Sequence, residues 1–294
     1  METPQIPPYQ YGEMRSGIGI EAVSFENGKA TIYRQKTVVE KSPVLLFSPG
    51  WHNTNHLAYA SLLKFCANHG VIAIYVPDSG SYQSQFDLYK EVIMANEKII
   101  DINRMMVMGH SSGGGMVFAI LKYIISNNWG NDSRIGIEMD GYFPQFMDKA
   151  DIEAIENTKF LAIQFGNTGN GTDPRVVLNT YNLLTGEGIE KDYLIIDEPN
   201  GTDHSYPNRG NTQAMQGLLK PLDALIEVLH GNEEDAHIKA GFSFNQSGEQ
   251  NIMSSDSYQY SCEYANRWHK GSDQHSKSTI DNCGTPRILE ISKL

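Results

Sequence analysis

Arg104-Met105-Met106-Val107-Met108-Gly109-His110-Ser111-Ser112-Gly113-Gly114-Gly115 joins two kinds of pattern. An apolar run too short for a helix leads directly into Gly109-His110-Ser111-Ser112-Gly113, which fits G-x-S-x-G, the turn that presents a serine between a strand and a helix. Ser111 is therefore the candidate nucleophile. A serine at this turn takes a strained backbone conformation, and side chains two residues before or after it would collide, which the flanking glycines avoid. Gly114 and Gly115 prolong the small-residue run, so the following helix can lie close on a sheet with its N-terminal amides near Ser111. The same pattern arises by chance in glycine- and serine-containing chains. Here the helix-like run 116–125 behind it completes the strand, turn and helix that the motif requires.

Upstream, residues 18–25 and 30–34 read as strands around Glu26-Asn27-Gly28, so the sheet is expected to begin with a hairpin. Val44-Leu45-Leu46-Phe47-Ser48-Pro49-Gly50-Trp51 is continuously apolar, as for a strand covered on both faces, and ends in a Pro-Gly turn. An amphipathic helix over 55–70 closes on Gly70, and the apolar run 71–77 is the next buried strand, which makes a βαβ unit. Residues 86–100 have helical periodicity and lead into the Ser111 strand. Downstream, strands are expected at 134–139, 159–165 and 193–196, with helices at 174–185 and about 212–229. Alternation of this kind specifies an α/β fold, a mostly parallel sheet with helices on both faces.

The chain has 294 residues, enough for one large α/β domain, placed at 1–231. Residues 232–294 are polar and serine-rich without a long periodic helix, and read as a short β-rich extension. A net charge of −12 argues against nucleic acid or anionic membrane as partners and suits a neutral or apolar small-molecule or polymeric substrate. No run reaches the length of a membrane span, and residues 1–12 lack a basic start and an apolar signal core. Of three cysteines, Cys66 reads as a small buried hydrophobe, while Cys262 and Cys283 share the polar extension, where a disulfide could staple a segment with little core. Such a bridge would favour a secreted protein, and the sequons at Asn131, Asn170, Asn200 and Asn245 would then carry meaning. A zinc site combining those cysteines with His269 and His275 matches no common ligand spacing, so no metal and no organic cofactor is expected.

A serine hydroxyl needs a base to take its proton and an acid to hold the base. Among nine histidines, His204 in Gly201-Thr202-Asp203-His204 follows the last strand of the alternation, the position that the order Ser, acid, His demands. Two acids are candidates: Asp140 ends the strand after the Ser111 helix, and Asp173 lies one strand later. Asp173-Pro174 also reads as an N-cap followed by proline at the first helical position, whereas Asp140 has no such structural role. The amides of Trp51 and Ser112 are the candidate oxyanion donors. Trp51, His110 and Phe143 are the expected lining of a substrate pocket, although Trp51 also fits a packed aromatic at a loop tip.

On these residues the chain resembles α/β-hydrolase serine esterases, and within them two groups. Phe47-Ser48-Pro49-Gly50-Trp51 and Cys66-Ala67-Asn68-His69-Gly70-Val71-Ile72-Ala73 are similar to the oxyanion strand and "SHGF" segment shared by cutinase-like polyester hydrolases and by the platelet-activating-factor acetylhydrolase and chlorophyllase group. The 101–111 segment resembles the polyester hydrolases. Ile137-Glu138-Met139-Asp140-Gly141-Tyr142-Phe143-Pro144 is similar to the acetylhydrolases, in which the catalytic Asp ends this strand. The resemblance spans about residues 8–229 and implies an α/β-hydrolase fold and ester hydrolysis through an acyl-enzyme by Ser111, His204 and Asp140. The polyester pattern would use an acid near Asp173 instead. A binding protein on the same scaffold is the rival from another class.

Overall fold

The computed structural model describes residues 12–78, 82–165, 174–196, 203–232, 280–281 and 285–286. The hairpin at the start is β1 (Ile20–Phe25) and β2 (Ala30–Gln35), antiparallel around a turn in which Asn27 takes φ 57°. After β3 (Ser42–Ser48), the chain alternates through α1 (Ala60–Asn68), β4 (Ile72–Tyr75), α2 (Tyr82–Ala95), β5 (Ile100–His110), α3 (Ser112–Ser126) and β6 (Ser133–Met139). It continues through α4 (Lys149–Glu153), β7 (Lys159–Phe165), α5 (Pro174–Leu183), β8 (Glu190–Ile196) and α6 (Gln216–Leu229). One eight-stranded sheet results, in the order β1-β2-β4-β3-β5-β6-β7-β8, parallel from β4 to β8. The fold is thus α/β with a mostly parallel sheet.

Strand alternation sorts the core into two layers. On β3, Val44 and Leu46 face a cluster built with α2, α3 and α5, while Leu45 and Phe47 face one built with α1 and α6. Both faces are therefore covered, which explains why these strands are continuously apolar. The N-terminal segment is tied to this framework by a buried pair under α1 and α6. His69 Nδ1 lies 3.1 Å from Asp223 Oδ1, both side chains fully buried, and Asp223 Oδ2 accepts from the Gly12 amide at 2.7 Å.

Three expectations need correction. The second helix ends at Ala95, not near residue 100, because the Asn96 side chain donates to the Val92 carbonyl at 2.8 Å and Ile100 is already paired with Ser42 in the sheet. The first helix opens with a 3-10 turn, His56–Tyr59, capped by the Asn55 side chain on the Leu57 amide. The short α4 was not expected, yet its signal is in the sequence: Asp148 and Asp151 form a reciprocal capping box. In the 232–294 extension, only residue 232 and residues 280–281 and 285–286 are described, the last two segments as an antiparallel pair. Asp173, Cys262, Cys283, His269 and His275 lie outside the described residues.

The topology also locates a site. From β3 the chain moves to β4 on one side and then to β5 on the other, so the strand order reverses between β3 and β5. Loops leaving the carboxyl ends of parallel strands at such a switch point form a crevice. The segments that leave there are 49–55, after β3, and the turn at Ser111, after β5.

Candidate active site

Ser111 joins β5 to α3 with φ 57° and ψ −123°, a conformation costing roughly 1–3 kcal/mol for a non-glycine residue. Backbone bonds on both sides hold it there. Its N–H donates to Met139 at 3.0 Å, and its carbonyl accepts from Gly114 at 2.9 Å and Tyr142 at 3.0 Å. The flanking glycines answer to contact, not only to conformation. A Cβ on Gly109 would lie 2.0 Å from the Gly113 carbonyl oxygen, and one on Gly113 would lie 2.1 Å from the Ser48 oxygen.

His204 and Asp140, 64 positions apart in sequence, meet beside this turn, with His204 Nδ1 at 2.5 Å from Asp140 Oδ2. Asp140 follows β6 with φ 45° and its side chain is fully buried. Its second oxygen, Oδ1, accepts from the Gln164 side chain at the end of β7, so the carboxylate is held from two sides. With Nδ1–H given to Asp140, the lone pair of the imidazole sits on Nε2, the tautomer that can take a proton from a hydroxyl. The loop that carries His204 is anchored by Tyr206, whose buried ring packs on Phe165 at 5.1 Å and under the Arg209 guanidinium at 4.5 Å.

Compared with protein-family models and with curated proteins, the chain matches none. Its chemistry is therefore read from its own geometry.

Gly50, in the loop after β3, lies against the candidate nucleophile: a Cβ there would be 3.5 Å from Ser111 Cβ. The loop is closed by Asn53 N–H to the Gly50 carbonyl at 3.0 Å and by His52 N–H to Asp78 Oδ2 at 2.7 Å. The Trp51 amide follows Gly50 directly. Ser112 occupies the first helical position of α3, where a backbone N–H has no acceptor within the helix. Its hydroxyl and carbonyl are held instead by the Gln145 side chain at 2.7 and 3.0 Å. The Trp51 ring is 75% exposed and packs at a tilt against His52, with ring centroids 4.7 Å apart, so it stands at the mouth of the crevice. Phe143 is half-buried against Tyr142 at 4.3 Å.

The expected pocket residue His110 is placed differently. Its ring is buried behind His204, centroid to centroid 4.6 Å, with Nε2 at 2.7 Å from the His204 carbonyl and Nδ1 at 2.8 Å from the Tyr59 hydroxyl. Both nitrogens are engaged inside the protein, so His110 supports the site from below. Burial, reinforced by the neighbouring His204, pushes its pKa down to about 3 and keeps it neutral. Tyr59, Gln164 and Gln145 carry no motif in the sequence, and Glu138 stands there only as one residue of the segment around Asp140. Tyr59 reads there as one more core aromatic on the amphipathic run 55–70, and only its contacts distinguish it.

Glu138 is the unusual neighbour. It is fully buried on β6, two residues before Asp140, and neither carboxyl oxygen has a hydrogen-bond partner among the described residues. Burial, together with the nearby Asp140 charge, raises its pKa well above the usual carboxylate value, so it is held as the neutral acid. Among the described residues, no group of three or more His, Cys, Asp or Glu side chains could hold a metal ion, and no helix is long and apolar enough to cross a membrane.

Proposed function

We propose that this chain is a serine carboxylester hydrolase of the α/β-hydrolase fold that works through an acyl-enzyme. The observation that carries the reading is the convergence of a strained Ser111 at a strand-to-helix turn with a His204 imidazole bound at 2.5 Å to a buried Asp140. Ser111 Oγ attacks the ester carbonyl carbon while His204 Nε2 takes its proton, and Asp140 stabilises the imidazolium that forms. The amides of Trp51 and Ser112 receive the negative charge on the former carbonyl oxygen. Collapse breaks the bond to the alcohol oxygen, which leaves with the proton from His204. Water then repeats the same steps on the acyl-enzyme and releases the acid. Side chains and backbone amides supply all of this chemistry.

The net charge of −12 favours a neutral or apolar ester, and the exposed Trp51 ring offers it an apolar surface at the mouth. The acid is Asp140, as in the acetylhydrolase-like pattern, because its two oxygens are already committed to His204 and Gln164. The test is covalent labelling with a fluorophosphonate alongside turnover of 4-nitrophenyl esters of increasing acyl length. Wild type should label and turn over, Ser111→Ala should do neither, and Ser112→Ala should keep substantial activity because it offers only its amide. Absence of labelling in folded wild type would instead indicate a binding protein on this scaffold.

A further inference from the structure

The Tyr59 hydroxyl joins two separate pieces of the candidate site. It accepts from the Gly50 amide at 3.0 Å, in the loop that precedes Trp51. It also meets His110 Nδ1 at 2.8 Å, next to Ser111. The direction of that last bond follows from chemistry. His110 Nε2 faces the His204 carbonyl, which can only accept, so Nε2 carries the ring proton, Nδ1 carries the lone pair, and the tyrosine O–H donates to it. The hydroxyl thus donates its proton to His110 and accepts from Gly50, and the chain of bonds runs from Gly50 through Tyr59 and His110 to the backbone of His204. Tyr59 is buried to 1% exposure, packed on Phe47 with ring centroids 4.7 Å apart, so no water competes for these bonds.

We propose that Tyr59 is a positioning residue whose hydroxyl locks the oxyanion loop at Gly50–Trp51 and the base loop at His204 into one register through His110. It touches neither substrate nor reacting atoms. It acts by holding the Trp51 amide and the His204 ring at fixed places relative to Ser111. This deepens the esterase reading and rests on it for its catalytic consequence, while the coupling of the two loops stands independently. Burial raises the Tyr59 pKa to about 12, so the proton that it donates stays in place across the working range. Because His110 remains neutral through the same range, the direction of the bonds does not reverse with pH.

Tyr59→Phe removes the hydroxyl and keeps the ring. Losing one oxyanion donor costs about 10²–10³ in kcat, and Tyr59 acts one residue removed from such a donor. The expected result is therefore a fall in kcat on 4-nitrophenyl acetate of about 10- to 100-fold with KM within about twofold, measured well below the melting temperature of both proteins. Hydrogen–deuterium exchange on the same pair should show faster exchange in peptides covering residues 49–54 and residues 203–209 together. Faster exchange in only one of these, or in neither, would overturn the coupling. A kcat within about threefold of wild type, or a loss confined to KM and melting temperature, would overturn the positioning role. If wild type itself neither turned over nor labelled, the esterase reading would fall, and the exchange measurement would still decide the coupling.

Discussion

Glu138→Gln should stabilise the protein at neutral pH, and the gain should grow with pH. The carboxyl sits on β6 between Gly109 on β5 and Ala162 on β7, neighbours with no polar side chain, and the backbone at Gly141 closes over it so tightly that a Cβ there would be 2.0 Å from Oε1. Nothing solvates a charge, so the folded protein retains a proton that the unfolded chain gives up near the ordinary value of 4.5. A folded pKa raised in this way means that the native state is favoured at and below about pH 4.5 and loses stability as pH climbs toward the folded value. Between the unfolded and the folded value each pH unit costs up to about 1.4 kcal/mol. Glutamine has the same shape and does not titrate, so it escapes the loss. Urea unfolding of both proteins at several pH values should give stabilities that nearly coincide at pH 5 and diverge steadily as pH rises above it. Parallel stability profiles for the two proteins would refute the argument, since Glu138 would then ionise alike in both states.

Asp140→Asn should leave the fold intact but present the wrong partner to His204 Nδ1, lowering kcat on the order of 10⁴, whereas Asp173→Asn should remain near wild type; the reverse ranking in steady-state kinetics would move the acid to the polyester-hydrolase position. His110, held neutral with a pKa of about 3, makes the folded state bind fewer protons than the unfolded chain between about pH 6.5 and 3, so stability should fall with acidification through that window by up to about 1.4 kcal/mol per unit. Acid titration followed by tryptophan fluorescence would report this, and His110→Asn should flatten that part of the curve. Asp223→Ala should cost about 3 kcal/mol or more in denaturant unfolding, because it strands the buried His69 and releases the Gly12 amide; a change under 1 kcal/mol would show that the pair is dispensable.

Much of the architecture was legible in the residues. Two-sided burial of parallel strands forces runs such as Val44–Leu45–Leu46–Phe47, and the glycines around Ser111 are required by contacts at 2.0 and 2.1 Å, so both leave local marks in the sequence. Errors fell where a local bond competes with periodicity: Asn96 ends α2 earlier than its apolar spacing suggests, and the Asp148 and Asp151 box builds a short helix in what reads as a loop.

The α/β alternation, the turn that carries Ser111 and two possible acids could be read from the residues alone, because each of these depends on neighbours within a few positions. That Asp140 meets His204 emerges from the fold, since the contact joins loops 64 positions apart and depends on β6 and β7 lying side by side, where Gln164 completes the carboxylate's bonds. The fold also puts His110 beneath the site, lets Tyr59 bridge two of its segments, and seals Glu138 away from any partner among the described residues. A strand residue's side chain alternates faces predictably, but what waits on that face is set by other strands and helices, and a hydrogen bond between distant loops leaves no period in the chain.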